Sequence, residues 1–332
     1  MSKALLPVGR RRALWGSAAG LVVLGLLAWW LLPLGESSPS GRVTFSTGTR
    51  NGVYQRYGEL LDDELADRLP RLDIELRDSE GSQENIARVA TGEADFAIAA
   101  ADAVQQYVAD DRPGADLLRA CARLYDDYVH VVVADTSQVK SVRDLKGLRV
   151  AIGPGGSGVR LIAEHVLKAA GLDPRTDIEQ SSEGIGAMPR LLEEGRIDAF
   201  FWSGGLPTRA VTSLSQEFGI RLVPIEESLV EEMHEQGGAS GYYRASVMPA
   251  DAYREAQKGQ SVPTLAVANL LITREDTDAG LTEDVTRTVI DSRGTIGREV
   301  HAAQLVDLRT AVYTDPLDLH EGARRYYRSV KP

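Results

Sequence analysis

The segment Gly195-Arg196-Ile197-Asp198-Ala199-Phe200 repeats a pattern that the chain already contains as Gly92-Glu93-Ala94-Asp95-Phe96-Ala97. In both copies a glycine follows a helical stretch, an aspartate stands three residues later, and an apolar stretch begins. Glycine is the usual residue just after a helix because it adopts the left-handed conformation without strain. The two segments therefore predict the same helix-to-strand junction in two similar halves of the chain.

A similar order of elements precedes each junction. In the first half a strand at 43–45 and a glycine-rich loop lead into a helix at 53–68. In the second half a strand at 148–152 and the loop Gly153-Pro154-Gly155-Gly156-Ser157-Gly158 lead into a helix at 159–170. Alternating strands and helices are typical of parallel sheets with helices on both faces. The sequence therefore predicts an α/β fold with two lobes.

Two apolar stretches, 129–134 and 262–273, lie between the halves and are interpreted as strands of a hinge. The chain would leave the first lobe through one of them and return through the other. We assign residues 41–130 and 275–332 to lobe 1, and residues 131–274 to lobe 2.

Composition excludes several classes of protein. The 332 residues carry a formal net charge of −11, which argues against binding to the phosphate backbone of nucleic acids. The single cysteine, Cys121, allows no intrachain disulfide, and the five histidines show no HExxH spacing. We predict neither a metal site nor a cofactor.

The first forty residues form a segment of a different kind. Lys3 and the basic run 10–12 precede an uncharged apolar run at 13–34, which is long enough to span a bilayer. The basic flank favours an orientation with the body outside the cytoplasm. A cleaved secretory signal is the alternative, but the run is longer than usual and no Ala-x-Ala site follows it. Residues 1–40 are therefore interpreted as a basic flank, a single-pass plasma-membrane anchor and a linker.

The two glycine-rich loops could bind an anion. Glycines let the backbone approach a ligand, and the helix that follows each loop presents free amide groups with a positive partial charge. Thr49, Tyr54 and Ser157 add hydroxyl groups. The second loop also satisfies GxGxxG, and Glu179 stands about 20 residues further on, as in dinucleotide-binding folds. A nicotinamide-dependent oxidoreductase is therefore an alternative.

No catalytic constellation stands out, and we predict that the protein is not an enzyme. The sequence has no GxSxG elbow. Asp126-Asp127 is interpreted as a solvated pair, and Cys121 as a small thiol in the core.

Several blocks of the chain resemble the TAXI proteins, the solute receptors of one branch of the TRAP transporters. The resemblance extends from about residue 43 to residue 328, and the blocks stand in the expected order. They are Ser46-Thr47-Gly48-Thr49-x-x-Gly52-Val53-Tyr54, Gly81-Ser82-x-Glu84-Asn85, Gly92-Glu93-Ala94-Asp95, Leu145-Lys146-Gly147-x-Arg149-Val150-x-Ile152-Gly153-Pro154-x-Gly156-Ser157-Gly158, Ile197-Asp198-Ala199-Phe200-Phe201, Gly204-Gly205-x-Pro207, and Leu319-His320-x-Gly322-Ala323-x-x-Tyr326-Tyr327.

The resemblance implies a type II periplasmic-binding-protein fold that closes around a small organic acid or amino acid. It implies delivery to a TRAP-type membrane permease, and a sensor protein of the same fold that feeds a signalling partner is the alternative. Val159 stands where the family commonly has threonine, which indicates a less polar ligand. The matched blocks imply these ligand-binding residues: Thr49, Gly52, Val53, Tyr54, Ser82, Asn85, Ser157, Gly158, Gly204, Gly205 and Pro207.

Overall fold

The computed structural model describes residues 39–50 and 52–330. Residues Pro39–Pro332 form one compact unit. The predicted membrane anchor lies outside the described residues. Among the helices within the described ranges, none is both long enough and apolar enough to cross a bilayer.

The described chain alternates strands and helices, and the predicted elements that surround the two glycine-rich loops lie within two residues of their expected bounds. The strands are β1 (Gly41–Ser46), β2 (Leu72–Arg77), β3 (Phe96–Ala100), β4 (Leu118–Ala134), β5 (Arg149–Ala151), β6 (Glu179–Ser181), β7 (Ala199–Gly204), β8 (Ile220–Leu222), β9 (Arg244–Met248) and β10 (Val262–Arg274). The α-helices are α1 (Val53–Arg68), α2 (Ser82–Thr91), α3 (Ala101–Ala109), α4 (Gly158–Ala169), α5 (Met188–Glu193), α6 (Arg209–Glu217), α7 (Glu227–Glu235), α8 (Arg254–Gln257), α9 (Ala279–Asp291), α10 (Arg293–Ile296) and α11 (Glu321–Val330).

The two halves contain matching parallel sheets. In the first half β1 lies between β2 and β3, and all three strands are parallel. In the second half β5 lies between β6 and β7 with the same parallel pairing. The predicted α/β fold with two lobes is confirmed.

The strands β4 and β10 join the two parallel sheets. They are antiparallel to each other, and each also pairs with further strands along part of its length. Residues 269–272 of β10 pair with β3, whereas residues 262–266 pair with β9. Residues 128–133 of β4 pair with β7. The hinge strands were predicted at these places, and the lobe boundaries given above stay a prediction.

The repeated aspartates have the same structural role in both halves. Asp95 accepts a 2.7 Å hydrogen bond from the backbone N–H of Thr44, within the neighbouring strand β1. Asp198 accepts a 2.9 Å hydrogen bond from the backbone N–H of Arg149, at the start of β5. Gly92 ends α2 with a φ of +80°, which favours glycine. The repeat therefore encodes a junction that fixes one parallel strand against the next.

Helices cover both faces of the sheet. Phe201 of β7 packs in a core cluster with Ile162 of α4, whereas its neighbour Phe200 packs with Leu191 of α5 on the opposite face. Such alternation follows from the period of two along a strand. Cys121 is buried and has no disulfide partner, as expected of a core thiol.

Candidate functional site

A cavity of about 630 Å³, including space open to solvent, lies where the two glycine-rich loops meet. The loop after β1 and the start of α1 form one wall, and the loop after β5 and the start of α4 form another. Ala100 at the end of β3, Ser203 near the end of β7 and Asp127 in the middle of β4 also line the cavity. Eight of the predicted ligand-binding residues line this cavity: Thr49, Gly52, Val53, Tyr54, Ser82, Ser157, Gly158 and Gly204.

The hydroxyl of Tyr54 belongs to a hydrogen-bond chain that crosses three elements. It donates to Oδ1 of Asn269 on β10 and lies 3.2 Å from Oγ of Ser82 at the start of α2. Since its proton is directed to Asn269, Ser82 is the donor in the second contact. Ser82 in turn accepts from the backbone N–H of Ala100 at 3.1 Å. The chain fixes the Tyr54 ring beside the cavity.

Ser157 acts as the N-cap of α4. Its Oγ accepts a hydrogen bond from the backbone N–H of Arg160 at 3.2 Å and donates to the carbonyl of Pro154 at 2.8 Å. An N-cap hydroxyl satisfies one of the free amides of the first helical turn. This hydroxyl therefore holds the second loop in place, while the backbone of the loop faces the cavity.

The starts of α2 and α4 approach each other closely. A Cβ atom on Gly158 would lie 3.0 Å from Oγ of Ser82, so glycine permits this approach. Nε2 of Gln83 donates to the carbonyl of Ser157 at 2.8 Å, and the backbone N–H of Glu84 donates to the carbonyl of Gly156 at 3.2 Å. The start of α2 and the second glycine-rich loop are therefore connected directly on one side of the cavity.

Three predicted ligand-binding residues lie elsewhere. Asn85 is buried, and its side chain accepts a hydrogen bond from Oγ of Ser46 and donates to the carbonyls of Thr47 and Ile98. These contacts give it a structural role. Gly205 and Pro207 line a second depression on the surface together with Gly52 and Val53. The structure brings these three residues near the cavity but not into its wall.

Asp127 corrects one interpretation made from the sequence. The sequence predicts that it is half of a solvated pair, yet it is 4% exposed and lines the cavity. Its neighbour Asp126 faces away and pairs with Arg123 at 2.6 Å and with Arg244. Adjacent residues of a strand point to opposite sides, so one aspartate is directed to the cavity and the other to the surface. The alternation of β4 would have been the signal, but the strand was predicted to begin only at 129.

Burial dominates the electrostatics of Asp127. Desolvation raises the pKa of its carboxyl to about 7, and the neighbouring carboxylates of Asp126 and Asp102 act in the same direction. The side-chain amide of Asn269 is close enough to oppose this shift as a donor, although its Nδ2 and Oδ1 of Asp127 do not meet in a hydrogen bond of ordinary geometry. Oδ1 of Asp127 has no hydrogen-bond partner among the described residues. The cavity wall therefore contains a buried carboxyl group with one unsatisfied oxygen.

The remaining wall is mostly apolar. Val159, Ile162, Met188 and Trp202 line it. The indole N–H of Trp202 donates to Oγ1 of Thr208 at 3.0 Å, which fixes the ring. Among the described residues that line the cavity there is no lysine, arginine or histidine. The site can enclose a small molecule with an apolar body and a few polar groups, which is typical of ligand pockets.

The described residues offer no obvious metal centre. Within these parts of the chain, no group of three or more histidine, cysteine, aspartate or glutamate residues is placed to hold an ion.

The comparisons with known proteins agree with this geometry. The model of the family described as NMT1-like matches residues 45–330. The fold is similar to that of the alkanesulfonate-binding protein SsuA from Xanthomonas axonopodis pv. citri bound to MOPS, at 18% identity and a TM-score of 0.50, covering 89% of this chain and 86% of that chain.

Two further solved structures have similar folds. A putative L-cystine ABC transporter from Listeria monocytogenes is 13% identical with a TM-score of 0.50, covering 80% of this chain and 98% of that chain. An ancestral arginine-binding protein bound to arginine is 14% identical with a TM-score of 0.50, covering 78% of this chain and 98% of that chain. The predicted type II periplasmic-binding-protein fold is confirmed. SsuA is an alkanesulfonate-binding protein and the ancestral protein is an arginine-binding protein.

Proposed function

We propose, since this chain belongs to the NMT1-like family, that it is an extracytoplasmic solute-binding receptor that captures a small organic acid or amino acid between its two lobes. The single observation that carries the proposal is the cavity, which is lined by both glycine-rich loops at once. A ligand that contacts both loops binds the closed arrangement better than an open one, and so favours closure.

The likeness of the sequence blocks to TAXI proteins supports a TRAP-type permease as the partner of the receptor. The permease would take the ligand from the closed receptor at the membrane surface. A direct test is crosslinking of the full-length chain in its native membrane, followed by mass spectrometry. Recovery of a permease supports uptake, whereas recovery of a sensor kinase instead would indicate a signalling receptor.

The uncharged run at 13–34 supports an anchor that stays attached to the receptor. An anchored receptor remains close to its permease without a lipid tether. Intact-mass measurement of protein extracted from membranes tests this point. Retention of residues 1–34 is expected, and a mature N-terminus between residues 37 and 41 would contradict the anchor.

The binding function itself is tested by a thermal-shift screen of carboxylates, amino acids and amines with the full-length chain. A ligand present at a hundredfold excess over its Kd should stabilise the folded state by about 2.7 kcal/mol. A folded protein that responds to none of these classes would overturn the proposed function.

A further inference from the structure

We propose that the ligand held in this cavity carries a protonated amine, and that Asp127 is the residue that pairs with it. This proposal rests on the proposed function and deepens it. It restricts the ligand to molecules with an ammonium group, such as amino acids, and excludes acids that lack one.

The position of the Asp127 carboxylate favours pairing with a cationic group of the ligand. It lies on β4 at the cavity wall, almost fully buried, and Oδ1 has no partner among the described residues. A buried carboxylate is unfavourable unless a donor or a cation compensates for the lost water. The amide of Asn269 offers a donor but no charge, whereas a ligand ammonium group supplies both a donor and a positive charge. Such charge-assisted hydrogen bonds are among the strong ones.

The described cavity wall is acidic, which also favours a cationic group. Its ionisable carboxyl groups are Asp127 and Glu80, and no basic side chain faces them there. A ligand with a carboxylate alone would meet two acidic groups and no cation. The amides at the starts of α1 and α4 can accommodate a carboxylate through their partial positive charge. An amino acid therefore satisfies both ends of the site, whereas a simple acid does not.

The cavity wall contains a second polar group without a hydrogen-bond partner among the described residues. Oγ of Ser203 on β7 is buried, lines the cavity and has no partner among the described residues. An ammonium group has three donors, and both a carboxylate and a hydroxyl can accept from it. Val159, Ile162 and Met188 then surround the rest of the ligand with apolar surface.

The surroundings of Asp127 give the amine site a defined pH dependence. Two titratable groups oppose its ionisation, Asp126 on β4 and Asp102 on α3. The charge of Asp127 in turn raises the pKa of Tyr54 on α1 and of Tyr125 on β4. The carboxyl has a pKa of about 7 in the absence of a ligand. Because the ammonium ion pairs with the ionised form, binding should tighten as the pH rises through this value.

The test uses two matched sets of probes that differ only in their polar groups. One set is L-phenylalanine, 2-phenylethylamine and 3-phenylpropanoate, and the other is L-leucine, 3-methylbutan-1-amine and 4-methylpentanoate. Each probe is added at millimolar concentration to the full-length chain, and thermal shift and calorimetry are recorded one pH unit below and one unit above the Asp127 pKa of about 7. The amines remain protonated over this range.

We expect the amino acids or amines of at least one set to bind, and to bind roughly tenfold more tightly at the higher pH. The acids without an amine should give no response. Binding of the acids alone, or tighter binding of the amines at the lower pH, would overturn the inference and leave the proposed function intact. No response to any amine-bearing probe also counts against the inference, and no response to any class in the broad screen contradicts the proposed function.

Asp127→Asn and the matched control Asp126→Asn complete the test. The first variant should weaken the binding of amine probes by roughly tenfold or more and remove its pH dependence. At the higher pH the control should bind within about twofold of the unaltered protein, because Asp126 faces away from the cavity and Asp127 is already ionised there. Unchanged amine binding by Asp127→Asn would overturn the assignment. If that variant does not fold, the probe sets and their pH profile decide the question alone.

Discussion

The hydroxyl of Tyr243 donates a 2.9 Å hydrogen bond to Oδ2 of Asp102, and both side chains are buried. Asp102 stands in the first turn of α3, whereas Tyr243 precedes β9. The same hydroxyl lies 2.9 Å from Nδ1 of His165 on α4. Burial raises the pKa of Asp102 to about 6 and lowers that of His165 to about 4. At neutral pH an ionised carboxylate and a neutral imidazole therefore share one phenol, which links distant segments of the chain.

Tyr243→Phe should lower the free energy of unfolding by about 1–3 kcal/mol at about pH 8, because a buried ionised acceptor loses its donor. The loss should be smaller at about pH 5, where Asp102 is mostly protonated. Urea denaturation at the two pH values measures the difference. The control Tyr242→Phe loses a 2.7 Å bond to Asp315 at a more exposed place and should cost less. Equal losses for both variants at both pH values would contradict this account.

Asp127→Asn should change how the stability of the ligand-free protein depends on pH. The folded-state pKa of about 7 lies above the ordinary value of 3.8, so the folded protein holds this proton more tightly than the unfolded chain. Stability is therefore lost as the pH rises from the ordinary value towards 7. Between about pH 5 and pH 8 the variant should gain about 2–3 kcal/mol relative to the unaltered protein.

Urea denaturation of both proteins across this range gives the comparison. Asp126→Asn serves as the control, and it should lower stability because Arg123 and Arg244 lose their shared partner. A variant that loses stability with rising pH as steeply as the unaltered protein would show that Asp127 does not titrate in this range.

Gly158→Ala should weaken ligand binding by separating the starts of α2 and α4. The new Cβ would lie 3.0 Å from Oγ of Ser82 and 3.3 Å from its Cβ, so Ser82 at the start of α2 must give way by a few tenths of an ångström. Gly155→Ala is the matched control in the same loop, since nothing lies within 4 Å of its Cβ position. Calorimetric titration with the best probe should separate the two variants. Similar affinities for both would mean that this approach is not needed for binding.

Ser157→Ala should lower the free energy of unfolding by about 1 kcal/mol, because it removes the N-cap of α4. It should also weaken binding, since the loop that faces the cavity loses its anchor to Pro154. Asp278→Ala removes a comparable cap from α9, where Asp278 accepts from the backbone N–H of Leu281 at 2.8 Å. Thermal unfolding should show similar losses in both variants, with affinity changed only by Ser157→Ala. An affinity loss of equal size in Asp278→Ala would refute the local role of Ser157.

The fold was predictable because its elements are encoded locally. The glycine that ends a helix and the aspartate that fixes the next strand both stand in one short segment, and the segment occurs twice. The hinge strand was predicted at 129–134, whereas the continuous strand β4 begins at Leu118. Arg119 and Arg123 interrupt its apolar pattern, and their ion pairs with Glu275 and Asp126 form only in the folded protein.

The glycine-rich loops of the candidate site and their hydroxyl groups were predictable, but its buried carboxyl group was not. Thr49, Tyr54 and Ser157 were found because glycines and helix starts mark them. Asp127 was missed because its sequence context, a pair of aspartates, is also typical of an exposed surface. In the folded protein Asn269 acts on its carboxyl, although Asn269 is more than 100 residues away in the chain and belongs to the other hinge strand. No pattern in one sequence reports such a long-range contact.

The central claim is that ligand binding closes two lobes around the cavity, and solution scattering combined with fluorescence tests it most directly. Residues 39–332 contain a single tryptophan, Trp202, whose ring lies in the cavity wall, so its emission reports the site. The account predicts a saturable change in Trp202 fluorescence and a smaller radius of gyration at the same ligand concentrations. A ligand that raises the melting temperature but leaves the radius of gyration unchanged would contradict closure, and with it the proposed receptor mechanism.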